Sequence, residues 1–173
     1  MSHSIYLSPD ELSRVVVQAA MNADEQGFWT GPQPIAENAV QHLVQFLGLM
    51  LGGDDDVDPR EMKVFADVFR AAKGGHPTED ELREAVGRSV ELADDPDAVA
   101  DFLTATPEYL RSIIAMDQAR GTRNANQVVA ALSGLGLAVL AADGQAVLEE
   151  DAVFTTHLDH LRGELQSLGL LDG

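Results

Sequence analysis

The chain has no cysteine, which excludes disulfide bonds, thiolate zinc sites and a cysteine nucleophile. Basic residues are scarce: 11 Lys and Arg stand against 29 Asp and Glu, so the formal net charge is -18. A surface of this sign repels phosphate backbones and anionic lipids and attracts metal cations and basic partners. We therefore expect a protein partner but no nucleic-acid binding. The most apolar run, Val128–Ala142, is too short for a membrane span, which predicts no direct membrane insertion.

The start of the sequence lacks the basic and apolar regions of a signal peptide, which favours a cytoplasmic protein. Helical periodicity and capping signals recur along the chain, and no window shows strand alternation. The predicted fold is all-α, a single-domain bundle of about seven to eight helices. The helices are expected at 8 to about 21, 35–51, from Pro59, from Thr78 to about 93, 98–105, 108–120, 124–142, and from Glu149 or Glu150 to Gly169.

The most unusual stretch is the run from Asp54 to Glu61, which has five carboxylates in eight positions and leads into an amphipathic helix. Carboxylates at a helix N-terminus either cap the helix or coordinate a hard cation. A weaker version of the pattern returns from Asp143 to Glu150, again between an apolar helix and an amphipathic one. In both copies a further acid follows the first Asp by seven positions. This acid, Glu61 or Glu150, is expected in the first turn of the next helix.

This repeated signature consists of a helix, an acidic turn, a short spacer, an acid and a second helix. It resembles the tellurite-resistance TerB family and the TerB-like domains over roughly Ile35 to Leu168. The resemblance implies a helical bundle with an internal pseudo-repeat, in which residues 1–34 form an N-terminal helix and loop packed on a TerB-like domain of residues 35–173. It also implies metal binding, a bacterial stress response and protein complexes. Tellurite is an anion that the acids would repel, so a link to tellurite resistance would be indirect.

The candidate metal site combines the acids that match the family pattern with Asp58, and its residues are Asp54, Asp56, Asp58, Glu61, Asp143 and Glu150. Oxygen-only ligands favour calcium or magnesium, provided that the two turns meet at one end of the bundle. An EF-hand is excluded because Pro59 and Phe65 occupy the positions of its Gly and its bidentate Glu. Simple capping remains the competing interpretation, although capping needs only one or two acids.

Histidines give a second, weaker metal signal on the last helix. His157 and His160 flank the apolar stripe near Glu164, and this arrangement could bind zinc. Edge histidines are more often structural, and His42 and His76 show no evident partners in the sequence. An enzyme using these residues would need an enclosed pocket around His157, His160 and Glu164. No catalytic constellation is visible, so we do not expect an enzyme.

Two functions therefore remain open. The first is a TerB-like, cation-binding regulatory or stress-associated protein that takes a divalent ion as its cofactor. The alternative is a metal-free acidic adaptor domain whose surface binds a basic or helical protein partner. The two differ in whether divalent ions stabilise the fold.

Overall fold

The computed structural model describes residues 8–51, 63, 66, 80, 84, 88, 91–92, 94–143 and 148–171. Its helices are α1 (Pro9–Glu25), α2 (Ile35–Leu51), α3 (Pro96–Leu103), α4 (Glu108–Arg120), α5 (Asn124–Asp143) and α6 (Leu148–Ser167). No strand occurs in these parts of the chain, which confirms the all-α prediction. The helices expected from Pro59 and from Thr78 lie mostly outside the described residues. The full helix count and the pseudo-repeat therefore stay predictions.

Capping signals begin α1 and α3 as expected. Ser8 and Glu11 form a capping box at α1, in which the Ser8 hydroxyl accepts a hydrogen bond from the Glu11 amide at 3.2 Å. Asp95 accepts hydrogen bonds from two amides in the first turn of α3. The predicted end of α1 near Met21 is wrong, since the helix continues to Glu25. No Gly or Pro interrupts the chain between Met21 and Gly27, whose φ of 86° suits glycine.

The central helix is α5, which contacts α1, α2, α4 and α6. The sequence predicts this position from the small residues on α5, and the contacts confirm it. Gly134 lies under the side chain of Leu12 from α1, and Gly136 lies under Phe154 from α6. Because a glycine has no Cβ, these two positions let the neighbouring helices approach closely. The core is built mainly from α1, α2, α4, α5 and α6.

One predicted core residue is exposed. Helical spacing predicts an apolar seam on α6 made of Phe154, Leu158, Leu161, Leu165 and Leu168. The helix ends at Ser167, however, and 41% of the Leu168 surface is exposed. Gly169 adopts a left-handed φ of 71° and turns the chain, so Leu170 packs into the core instead. The seam residues Leu158, Leu161 and Leu165 are buried as predicted.

A tryptophan in a loop more often anchors the loop to the core than binds a ligand, so the sequence predicts that Trp29 anchors the connection between α1 and α2. Trp29 packs against the core and donates a hydrogen bond from Nε1 to the Gln33 carbonyl at 2.8 Å. Within the chain segments described, no helix is long and apolar enough to cross a membrane.

Candidate functional site

The directions of three helices show where α2 and α5, the helices before the two acidic stretches, end. On α2, His42 contacts His157 of α6, and Met50 lies further along beside Gly136, where Phe154 of α6 also packs. The later residue on α2 therefore lies beside the earlier residue on α6, so these two helices are antiparallel. Gly136 is two turns before the end of α5, and Phe154 is about two turns after the start of α6. The ends of α2 and α5 and the start of α6 therefore lie at one end of the bundle, here named the Leu51 end.

The opposite end of the bundle carries the start of α5 and the end of α1. Asn22, near the end of α1, donates a hydrogen bond to Met116 in α4. The next residue in α4, Asp117, accepts a hydrogen bond from the Ala125 amide in the first turn of α5. This end therefore holds Asp24 and Glu25, which are exposed acids in the last turn of α1.

The predicted metal ligands are described only in part. Asp54, Asp56, Asp58 and Glu61 lie outside the described residues; the first of them follows the last residue of α2 by three positions. Asp143 is the last residue of α5 and Glu150 is the third residue of α6, so the expected place of Glu150 in the first turn is confirmed. Among the side chains that the structure describes, no group of three or more His, Asp or Glu residues is arranged to hold a metal ion.

No partner for His42 is evident in the sequence, but the structure shows two. His42 is buried on α2, and its Nδ1 lies 2.8 Å from the Tyr109 hydroxyl of α4. Its Nε2 lies 2.9 Å from Nε2 of His157 on α6. His157 is fully buried too, rather than at the edge of the apolar stripe, and its Nδ1 lies 3.0 Å from the Leu103 carbonyl of α3. We call these four residues the histidine chain.

Geometry fixes the proton positions in the histidine chain. The Leu103 carbonyl can only accept, so Nδ1 of His157 carries a hydrogen and its Nε2 accepts when the ring is neutral. His42 must then donate from Nε2, which leaves its Nδ1 to accept the hydrogen bond of the Tyr109 hydroxyl. Every polar atom of the two rings is therefore satisfied in one arrangement with both rings neutral. The chain ties α2, α3, α4 and α6 together.

The surroundings of the histidine chain favour the neutral forms. The rings of Phe46 and Phe102 lie beside both imidazoles, with centroids 5.2 to 6.3 Å apart. Burial lowers the pKa of His42 well below its ordinary value, and His157 lowers it further. Burial also lowers the pKa of His157, although its hydrogen bond to the Leu103 carbonyl acts in the opposite direction.

The other predicted histidine lies in a surface cleft of about 540 Å³. His160 and Glu164 line it from α6, and Thr106 lines it from the connection between α3 and α4. The Thr106 hydroxyl donates to Glu164 Oε2 and lies 3.3 Å from His160 Nε2, which is itself 3.8 Å from the same Glu164 oxygen. His157 is not part of this lining, so the structure separates the histidines that the sequence grouped together.

The cleft differs from a nucleophilic triad. In a triad the hydroxyl and the acid contact opposite nitrogens of the imidazole, so that the acid orients the ring and the ring takes the hydroxyl proton. Here the Thr106 and Glu164 oxygens are both near Nε2 of His160, and Thr106 gives its hydrogen to Glu164. This arrangement ties α6 to the connection between α3 and α4 and does not activate the hydroxyl.

Comparison with protein-family models, curated proteins and solved structures finds no match to this chain.

Proposed function

We propose that this chain is a cytoplasmic, TerB-like cation-binding domain with a regulatory or stress-associated role. In this proposal the two halves form a pseudo-repeat whose acidic turns share one calcium or magnesium ion. The candidate ligands are Asp54, Asp56, Asp58, Glu61, Asp143 and Glu150. Six carboxylates brought together repel one another, and a divalent ion would remove that repulsion and link the two turns.

The observation that supports the proposal most strongly is the common direction of α2 and α5. Both helices end at the Leu51 end, and each is followed directly by one of the two acidic stretches. Two helix C-termini bring partial negative charge to this end, against the partial positive charge of one N-terminus, that of α6, so the balance among these three helix ends favours a cation. Had the two helices ended at opposite ends of the bundle, the acids would be ordinary helix caps.

Thermal unfolding tests the proposal directly. A divalent ion that binds only the folded chain stabilises it by about 1.4 kcal/mol at ten times its Kd, which raises Tm by roughly 3–6 °C for a protein of this size. Calcium and magnesium should each be tested at millimolar concentration. The reference is sodium chloride at matched ionic strength, because salt alone screens the net charge of -18.

A pair of double variants makes the experiment specific. Asp56→Ala with Glu61→Ala should abolish the rise in Tm that the divalent ion causes. Asp24→Ala with Glu25→Ala removes the same charge at the opposite end of the bundle and should leave that rise intact. No rise with any divalent ion, or an equal loss in both double variants, would remove the metal site from the proposal.

A basic protein partner is the second candidate, and the net charge of -18 supports it. In this case the acidic surface acts without a metal, and binding depends on long-range attraction. The yield of a pull-down should then fall steeply with salt and be unaffected by a chelator. Capture that disappears with the chelator would instead point to the cation-dependent form.

A further inference from the structure

The histidine chain crosses the core at the point where four helices meet, and nothing in the cation-site proposal uses it. Its hydrogen bonds connect residues far apart in the sequence, since His42 is separated from Tyr109 by 67 positions and from His157 by 115. Buried polar groups of this kind are costly unless every member is satisfied. Here each ring nitrogen has a hydrogen-bond partner when both rings are neutral.

We propose that His42 and His157 form an acid-operated latch, which holds α6 against α2 and α3 when both rings are neutral and releases it when either ring takes up a proton. A proton added to His157 would place two N–H groups against each other across a contact of 2.9 Å. A proton added to Nδ1 of His42 would displace the hydrogen of the Tyr109 hydroxyl from its acceptor. Protonation of His157 thus breaks the hydrogen bond between the two rings, whereas protonation of His42 reverses its hydrogen bond to Tyr109 and leaves the hydroxyl hydrogen without that acceptor. Either proton leaves a charge inside the core.

The groups facing the two rings offer that charge little compensation. They are the Phe46 ring from α2, the Phe102 ring and Leu103 carbonyl from α3, the Tyr109 hydroxyl from α4, and His160 one turn along α6. In the part of the chain that the structure describes, no carboxylate forms a hydrogen bond or ion pair with either ring. Glu164 is paired with His160 and Thr106 instead.

The direction of the pH effect follows from this geometry. Histidines in an opened or unfolded chain bind protons below about pH 6.5, while the latched rings stay neutral to lower pH. For each histidine that is protonated only in the unfolded chain, the folding equilibrium constant falls about tenfold for each unit by which the pH decreases. Two histidines together therefore lower this constant by up to about a hundredfold per pH unit. The latch is therefore fully effective above about pH 6.5 and weakens as pH falls towards the lower pKa values of the folded state.

Opening has a local consequence at the surface. The Leu103 carbonyl, which holds His157, directly precedes the connection whose residues Thr104 to Thr106 line the cleft opposite α6. When His157 leaves this carbonyl, α6 loses its hydrogen bond to α3, and the contact between Thr106 and Glu164 is left to hold α6 to this wall of the cleft. The packing of Leu12 on Gly134, between α1 and α5, does not involve the latch. Acid should therefore loosen α6 and α3 before it loosens α1 and α5.

Hydrogen exchange and urea unfolding of the intact chain between pH 7.5 and 5.5 test the latch. After correction for intrinsic exchange rates, α3 and α6 should lose protection at pH 5.5 while α1 and α5 retain it. The folding constant should fall steeply over the same range. His160→Gln, a half-exposed histidine on the same helix, should retain this steep fall, whereas His42→Gln with His157→Gln should lose it. The latch would be overturned if α3 and α6 lost no more protection at pH 5.5 than α1 and α5. It would also be overturned if the two variants showed the same pH dependence of the folding constant.

Two further measurements cover the case in which the double variant does not fold. Nuclear magnetic resonance of the wild-type imidazoles should show two rings that stay neutral below pH 6.5 while the chain is folded; two rings that titrate at or above pH 6.5 would overturn the latch. The apolar variant His42→Phe, Tyr109→Phe, His157→Leu removes all three side chains together. It should keep α6 protected at pH 5.5, and acid loosening equal to that of the wild type would count against the latch.

Discussion

The carboxylate of Asp117, in the last turn of α4, accepts a hydrogen bond from the amide of Ala125, in the first turn of α5, at 2.8 Å. Its other oxygen accepts hydrogen bonds from the Thr122 hydroxyl and from the amide and side chain of Asn124. An acid at a helix C-terminus is normally unfavourable, but here it caps the start of the next helix. Asp117 therefore connects α4 to the central helix.

Replacing Asp117 should destabilise the fold strongly. Asp117→Ala removes all four hydrogen bonds at a site only 1% exposed, so the free energy of unfolding should fall by about 2–4 kcal/mol. Asp117→Asn retains one acceptor oxygen and should cost less. Asp159→Ala, on an exposed face of α6, should change stability by no more than about 0.5 kcal/mol. Urea unfolding at pH 7.5 measures the three values, and equal losses for Asp117→Ala and Asp159→Ala would contradict the capping role.

Close packing of α6 on α5 gives a second prediction. A Cβ at position 136 would meet the Phe154 ring and approach Met50, so Gly136→Ala should destabilise the fold by about 1–3 kcal/mol. Gly163→Ala is the matched control, because nothing lies within 4 Å of a Cβ there. That variant should gain about 0.5–1 kcal/mol from the lower backbone entropy of the unfolded chain. Thermal unfolding should therefore shift Tm in opposite directions, and a gain in both variants would show that α6 can move away.

The sequence predicts the helices well because their signals are local. The capping box at Ser8, the glycines that end helices and the small residues of α5 all act within a few positions of the structure they determine. The prediction that Leu168 is buried is wrong because helical periodicity assumes that the helix continues. The left-handed turn at Gly169 changes the direction of the chain, so Leu170 is buried in place of Leu168.

The histidine chain could be predicted only in part. His42 follows Ala39 by three positions and precedes Phe46 by four, so it falls within the apolar stripe of α2, and this spacing indicates burial. Its partners could not be predicted, since Tyr109 and His157 are brought to it by the packing of other helices. The same limit applies to the common end of α2 and α5, which follows from helix directions rather than from any motif.

Tyr109→Phe should separate the stability of the histidine chain from its pH dependence. The variant leaves Nδ1 of His42 buried without a donor, which should lower the free energy of unfolding by about 1–3 kcal/mol at pH 7.5. Both histidines remain, and burial still lowers their pKa values, so the unfolded chain still binds the additional protons below pH 6.5. Stability should therefore fall with decreasing pH by about 1.4 kcal/mol per pH unit for each histidine, as in the wild type. Urea unfolding from pH 7.5 to 5.5 checks both values, and an unchanged stability at pH 7.5 would contradict the hydrogen bond from Tyr109.

The proposed cation site gives a final prediction through two adjacent acids in the first turn of α6. Glu149 and Glu150 are the second and third residues of this helix. Acids in a first turn generally stabilise a helix to a similar extent, so removal of either one should cost similar stability without metal. Only Glu150 belongs to the proposed ligand set. With calcium present, Glu150→Gln should therefore lose most of the roughly 3–6 °C rise in Tm expected near ten times Kd, whereas Glu149→Gln should retain it. Calorimetric titration of both variants gives the affinities directly. Equal calcium affinities of the two variants would assign the ion to the Asp54 to Glu61 stretch alone. The two acidic stretches would then not share it.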